Sequence, residues 1–169
     1  MTNLFNQFSP NFRRVIKQAA WICLNLEAKT ILPVHLLIAI VFVPDSLAAE
    51  MLNKMGIKLD NLEKSFNIKI DSLEKSLAAL NPDLAAQKVF NLSMSKEVIQ
   101  ILENAALLAL KYQYNYIGTE HLLAALLAEK NEEIKQEFKK LNLPLADLEM
   151  KLLELIKKAP RHLDANYVV

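Results

Sequence analysis

The chain has 169 residues, of which 53% are hydrophobic and 23% are charged, with two glycines and a single cysteine, Cys23. One cysteine excludes an internal disulfide, and so few glycines disfavour phosphate-cradling loops, dinucleotide-binding folds and tight hairpins. The 20 Lys and Arg residues against 19 Asp and Glu residues give a formal net charge of +1, so no overall charge favours binding to nucleic acid or to an anionic membrane.

Targeting and membrane segments are not indicated. The N-terminus lacks the basic region, apolar stretch and small-residue cleavage site of a signal peptide. The most apolar run, residues 31–43, has 13 residues, whereas a membrane span needs about 20. We therefore expect a cytoplasmic protein that makes no contact with a membrane.

Four helices are predicted in the first half of the chain, at residues 10–26, 33–42, 46–55 and 59–66. In the first of them, apolar residues recur at spacings of three and four, as in an amphipathic helix. Ser9 followed by Pro10 is typical of an N-cap and a first helical position, and Pro33 and Asp45 mark two further starts. Gly56 follows the third helix, where a left-handed residue often ends a helix.

The second half repeats this pattern, with helices predicted at residues 95–112, 119–128, 132–141 and 145–158. Ser95 caps the first of these. A shift of 86 residues aligns the two halves without a gap and places His35-Leu36-Leu37 on His121-Leu122-Leu123. This register holds over residues 8–66, so the sequence predicts a duplicated four-helix unit. No window alternates with the period of a strand, and the predicted fold class is all-α.

The predicted organisation is a single domain over residues 1–169. A first repeat at about residues 8–66 is followed by a linker at 67–92, a second repeat at about 94–158 and a tail at 159–169. The linker includes a plausible short helix at residues 72–77 and a break at Asn81-Pro82-Asp83.

The second repeat contains the string Tyr116-Ile117-Gly118-Thr119-Glu120-His121-Leu122-Leu123. Together with the duplication, this string closely resembles the Clp N-terminal repeat domain of the Hsp100 class of AAA+ unfoldases, nearest to the ClpC and ClpA type. The resemblance extends over residues 8–158. It implies two four-helix repeats packed with pseudo-twofold symmetry and no catalysis. It also implies that the domain docks adaptor and substrate proteins and passes them to AAA+ ATPase rings.

The motif also has a local physical interpretation. Thr119 is predicted to be an N-cap, Glu120 places negative charge at the positive end of the helix dipole, and Gly118 allows a close approach or a positive φ. His121 and its counterpart His35 are predicted to bond a neighbouring backbone group near a helix start. Neither has a second His, Cys or suitable carboxylate at ligand spacing, so neither is expected to hold a metal.

The first repeat departs from the family motif. It reads Leu32-Pro33-Val34-His35, so a valine stands where the family has glutamate. A second departure is Gln113, which occupies a position where the family favours glycine, at a cost of about 1 kcal/mol.

Some ClpC-type relatives bind phosphorylated arginine. The resemblance implies that the motif glutamate holds the guanidinium, while a hydroxyl-capped helix start with nearby basic residues holds the phosphate. The second repeat offers Glu120, Thr119 and Ser95, with Lys96 as the adjacent cation, whereas the first keeps Ser9 and Arg13-Arg14 but lacks the carboxylate. We therefore expect one weak site in the second repeat and none in the first.

Enzymatic roles are not supported by the sequence. It contains no Gly-x-x-x-x-Gly-Lys-Ser/Thr motif, and Cys23 lies in an apolar helix, as a core residue would. We expect no enzymatic activity, no cofactor and no nucleic acid partner. Two alternatives to an unfoldase domain stay open, namely a free-standing accessory subunit of a Clp protease or unfoldase and a helical scaffold unrelated to proteolysis.

Overall fold

A computed structural model of the chain describes residues 5–67, 92–128, 132–140, 142 and 145–159. These residues form eight α-helices, two strands of two residues each and a short 3-10 helix, Phe5–Gln7. The α-helices are α1 (Pro10–Asn25), α2 (Pro33–Val41), α3 (Leu47–Lys54), α4 (Leu59–Phe66), α5 (Lys96–Lys111), α6 (Thr119–Ala128), α7 (Glu132–Lys140) and α8 (Leu145–Lys158). The predicted all-α class is confirmed. The helix expected at residues 72–77 and the tail beyond residue 159 lie outside the described residues.

Two short strands were not expected from the sequence. β1 (Thr30–Ile31) pairs in parallel with β2 (Ser93–Met94), with Ile31 opposite Met94. Two residues are too few to show the alternation on which a strand prediction depends. The pair joins the segment before α2 to the segment before α5, so it connects the two repeats.

Most helix starts and ends follow the predicted chemistry, but α3 is capped by the Ser46 hydroxyl, which accepts from the Ala49 amide at 3.2 Å, and not by the predicted Asp45. The Ser9 hydroxyl accepts a hydrogen bond from the Phe12 amide at 3.2 Å, and the Ser95 hydroxyl accepts the equivalent bond from Val98 at 3.2 Å. Gly56 has φ +78° after α3, as its position predicts. Gln113 has φ +62° after α5, which confirms that this position favours glycine.

The two repeats exchange the same backbone hydrogen bond. The Ser9 amide donates to the Ile117 carbonyl oxygen at 3.0 Å, and the Ser95 amide donates to the Ile31 carbonyl oxygen at 3.0 Å. A shift of 86 residues converts Ser9 to Ser95 and Ile31 to Ile117, so one interaction occurs twice with the repeats interchanged. The bridge between Phe8 and Ile117 likewise corresponds to the pairing of β2 with β1. Each long first helix therefore begins against the opposite repeat.

The core is centred on α2 and α6, the second helices of the two repeats. Residues 33–40 of α2 and residues 119–127 of α6 are all buried. A helix that is buried on every side must be enclosed by others, and α1 packs on α2 while α5 packs on α6. α3 and α8 also contact α6, which brings the start of α6 next to the start of α3. In the part of the chain that the structure describes, no helix has the length and apolar composition needed to cross a bilayer.

Candidate functional site

The start of α6 is closed by a histidine. The Gly118 amide donates to His121 Nδ1 at 2.9 Å, and in the first repeat the Leu32 amide donates to His35 Nδ1 at 3.1 Å. The predicted role of both histidines is confirmed. Burial lowers the pKa of His35 and lowers that of His121 to about 4. Both rings are therefore neutral at physiological pH, with Nδ1 acting as an acceptor.

Thr119 does not cap the helix, contrary to the sequence prediction. It is the first helical residue of α6, and the Gly118 carbonyl oxygen accepts the first hydrogen bonds of the helix, from His121 and Leu122. The Thr119 hydroxyl instead accepts from the Ala48 amide of α3 at 3.4 Å. Gly118 occupies the N-cap position, and its amide is bonded by the side chain of His121. The Thr119 hydroxyl is therefore available to connect α6 to α3.

Glu120 is only 2% exposed although it is ionisable and lies in the first turn of α6. A Cβ built on Gly118 would collide with the carboxylate of Glu120. Of the two roles predicted for Gly118, the structure therefore supports the close approach, since only glycine leaves space for the carboxylate to fold over the helix start.

The carboxylate of Glu120 is incompletely satisfied. It is hydrogen-bonded to the Tyr116 hydroxyl and to its own backbone amide, but among the described residues Oε1 has no hydrogen-bond partner. His121 Nδ1 lies 3.5 Å from Oε1 and already accepts from Gly118, so this contact joins two acceptors and is not an ion pair. Burial raises the pKa of Glu120. The pKa of Tyr116 is also raised, mainly by burial and to a smaller extent by the nearby charge of Glu120. A cationic donor at Oε1 would satisfy the site.

Glu120 lies at a cleft of about 230 Å³ that both repeats line. The lining residues are Ser9, Pro10, Asn11, Asp45, Leu47, Tyr116, Thr119 and Glu120. We refer to this feature as the Glu120 cleft. The N-terminus of α1 contributes to it, and the first turn of α1 contains no acidic residue. One wall of the cleft is therefore a buried carboxylate and the other is the positive end of a helix dipole.

Two basic residues follow on the exposed side of α1. The guanidinium of Arg14 lies 3.6 Å from the carboxylate of Asp45 at the cleft, and the guanidinium of Arg13 donates to the Asn6 carbonyl oxygen at 3.3 Å. Both side chains are exposed, so they can reorient towards an anion with little loss of stability.

Ser95 and Lys96 do not line the Glu120 cleft, although the sequence grouped them with Glu120. The amide of Ser95 bonds to Ile31, which places the start of α5 beside the first-repeat motif that contains Val34. The side chain of Glu97 there hydrogen-bonds the Ser95 hydroxyl, which lowers the pKa of Glu97 and places a carboxylate at that helix start. The residues that sequence reasoning missed are those on α1. The sequence contains Ser9 and Arg13-Arg14 but grouped them with the first-repeat motif, whereas the structure places Ser9 at the Glu120 cleft and Arg14 beside Asp45.

Two further side chains, Tyr114 and Cys23, have packing roles. The ring of Tyr114 meets the ring of His121 edge to face at a centroid distance of 4.5 Å and meets that of Tyr116 at 5.3 Å. Cys23 is buried, its thiol lies 3.4 Å from the Ala28 carbonyl oxygen, and burial raises its pKa. Within the described ranges no group of three or more His, Cys, Asp and Glu side chains is placed to hold a metal ion.

The sequence matches the family described as the Clp repeat (R) N-terminal domain over residues 7–95 and again over residues 93–168. These matches cover most of the chain, and the protein belongs to this family. The two matched segments also agree with the duplication seen in the sequence and in the exchanged hydrogen bonds.

Curated relatives include the ATP-dependent Clp protease ATP-binding subunit ClpC of Staphylococcus aureus (strain NCTC 8325 / PS 47). It is 26% identical over 140 residues, which are 83% of this chain and 16% of that protein. ClpC of Staphylococcus saprophyticus gives the same values. The chain therefore spans about one sixth of the length of these relatives.

Two solved structures share the fold. The N-terminal domain of the chaperone ClpD from Arabidopsis thaliana aligns with a TM-score of 0.69 and 18% identity, covering 90% of this chain and 99% of that one. The Hsp104 N-terminal domain from Candida albicans aligns with a TM-score of 0.65 and 20% identity, covering 92% and 94%. The resemblance proposed from the sequence is confirmed.

Proposed function

We propose that this chain is a non-enzymatic protein-binding domain that docks adaptor or substrate proteins for a Clp-type ATP-dependent unfoldase. The AAA+ ATPase rings would belong to the same chain or to another one. Membership of the Clp repeat family supports this role, because relatives such as ClpC are named as ATP-binding subunits of a protease. The single observation that carries the proposal is the unpartnered, buried Oε1 of Glu120 at an open cleft between the repeats.

The ligand that this cleft suits is a phosphorylated arginine side chain of a client protein. Glu120 would accept hydrogen bonds from the guanidinium, since carboxylate and guanidinium form short charge-assisted pairs. The phosphate would lie at the N-terminus of α1, where the helix dipole favours an anion, with Arg13 and Arg14 nearby. The proposed site thus uses α1 of the first repeat in place of Ser95 and Lys96.

The proposal specifies one site per chain. At the equivalent position of the first repeat, Val34 cannot accept a hydrogen bond from a guanidinium, and Glu97 adds negative charge at the start of α5. Both features oppose binding of phosphoarginine there. Val34 leaves the guanidinium without an acceptor, and the carboxylate of Glu97 repels the phosphate.

Titration calorimetry with free phosphoarginine tests the proposal. We expect a stoichiometry of one and a loss of about tenfold or more in affinity for Glu120→Gln, the size expected when a charged hydrogen bond becomes neutral. Lys96→Ala is the matched control, and its affinity should equal that of the wild type. Two comparable sites, or a single site that Glu120→Gln leaves unchanged, would overturn the assignment.

A further inference from the structure

A groove runs between α3 of the first repeat and α8 of the second. Its volume is about 650 Å³, nearly three times that of the Glu120 cleft. Apolar side chains form its floor, chiefly Met51, Met55 and Leu155, and lysines stand along it, namely Lys54, Lys151 and Lys158. We refer to this feature as the α3–α8 groove. Methionines are common in surfaces that accept varied partners, because their side chains are unbranched and polarizable.

The groove and the Glu120 cleft share a lining residue. Leu47, the first residue of α3, lines both of them and is 36% exposed. A protein bound in the Glu120 cleft would therefore lie close to the groove.

The charges along the groove are unbalanced. Three lysines and one glutamate, Glu154, line it. Lys54 pairs with Glu50 at 2.5 Å and Lys158 approaches Glu154 at 4.0 Å, but all four of these side chains are more than half exposed. Exposed pairs of this kind are weak, so the lysines can exchange their partners for carboxylates of a bound protein. The ammonium group of Lys151 lies 3.9 Å from Met55 Sδ, so this cation stands directly over the apolar floor.

We propose that the α3–α8 groove is a second docking site, which binds a segment of a partner protein in which apolar residues alternate with carboxylates. The apolar side chains would lie on Met51, Met55 and Leu155, and the carboxylates would contact Lys54, Lys151 and Lys158. This inference goes beyond the proposed function, because binding in the groove does not require Glu120 or a phosphorylated arginine.

Fluorescence anisotropy with two synthetic peptides tests the inference. The first is a labelled amphipathic peptide of leucine and glutamate, and the second has the same pattern with lysine in place of glutamate. We expect the acidic peptide to bind and the basic one not to bind. Lys151→Glu should weaken the acidic peptide by about tenfold, because an attraction is replaced by a repulsion. Lys17→Glu makes the same charge change on exposed α1, away from the groove, and should leave the affinity within about twofold.

Glu120→Gln separates the two proposals, since it should weaken phosphoarginine binding by about tenfold or more and leave the affinity for the acidic peptide unchanged. Methyl NMR spectra then locate the peptide, and we expect shifts at Met51 and Met55. Equal binding of the two peptides, or an undiminished affinity in Lys151→Glu, would overturn the inference. Contacts of these methyl groups with the tail of the same chain, or self-association that Met51→Glu removes, would also overturn it by assigning the groove to another occupant.

Discussion

The amide of Ser9 donates to the carbonyl oxygen of Ile117 at 3.0 Å, and this bond fixes the start of α1 beside the motif of the second repeat. Ser9 caps its own helix through its hydroxyl and holds the opposite repeat through its amide. Because Glu120 follows Ile117 by three residues, the same bond brings the positive end of α1 to the buried carboxylate. The Glu120 cleft thus belongs to neither repeat alone.

Gly118→Ala is expected to destabilise the domain. The new Cβ would collide with the carboxylate of Glu120, so this buried side chain must leave its present rotamer, at a cost of about 0.5–1.5 kcal/mol. Urea unfolding measures the loss. When Glu120 is already replaced by alanine, Gly118→Ala should cost little further stability, because the colliding carboxylate is gone. The comparison is between the double variant Gly118→Ala/Glu120→Ala and the single variant Glu120→Ala. Additive losses in the double variant would show that Gly118 is required for a different reason.

Glycine at position 113 is expected to stabilise the domain. Gln113 has φ +62°, a conformation that costs a side-chain-bearing residue about 1–2 kcal/mol, and part of that cost is returned as greater freedom of the unfolded chain. Gln113→Gly should therefore raise the free energy of unfolding by about 0.5–1 kcal/mol. Gln100→Gly, within α5, should lower it by about 1 kcal/mol. A loss of stability in both variants would contradict the account of position 113.

The stability of the domain should depend on pH through Glu120. Burial raises the pKa of this carboxyl above its ordinary value of 4.5, so the folded state keeps a proton that the unfolded state releases. The wild type should therefore lose stability as pH rises above 4.5, until the folded carboxyl ionises as well. Glu120→Gln lacks this loss, and its stability relative to the wild type should be greater at pH 8 than at pH 5. Urea unfolding at both pH values measures the difference, and a constant difference would show that the carboxyl is not perturbed.

Ala20 and Ala106 occupy equivalent positions in the two repeats but are not equally buried. Ala20 is 3% exposed in the core, whereas Ala106 is half-buried. Ala20→Leu should overpack the core and cost about 1–3 kcal/mol, while Ala106→Leu should cost less. Thermal unfolding of the two variants measures this, and equal melting temperatures would contradict the burial difference. The sequence alone predicts the same effect at both positions.

The helices of the described segments, the caps Ser9 and Ser95 and the roles of His35, His121 and Gly118 could be predicted from the sequence. Each depends on interactions among residues that are close along the chain, such as the three-residue spacing from Gly118 to His121. The left-handed conformation of Gln113 could also be predicted, because this residue occupies a position where the family favours glycine.

The composition of the Glu120 cleft could not be predicted. A shift of 86 residues shows which residues correspond between the repeats. It does not show whether Ser9 bonds Ile31 of its own repeat or Ile117 of the other repeat. Only the tertiary structure shows that the helix starts are exchanged between repeats. The role of Thr119 was misassigned for a similar reason, since its partner, Ala48, is 71 positions away in the sequence.

The contact between Ser9 and Ile117 also orders events during synthesis. These residues are 108 positions apart, so a ribosome must make at least the first 117 of these 169 residues before α1 meets its partner. Contacts between such distant residues carry a large loop-closure entropy and form slowly compared with local helices. A nascent chain that contains only the first repeat would have α1 and its serine cap but no Glu120 cleft. Binding competence would therefore arise late and all at once, and a ligand of the cleft would stabilise only the fully assembled domain.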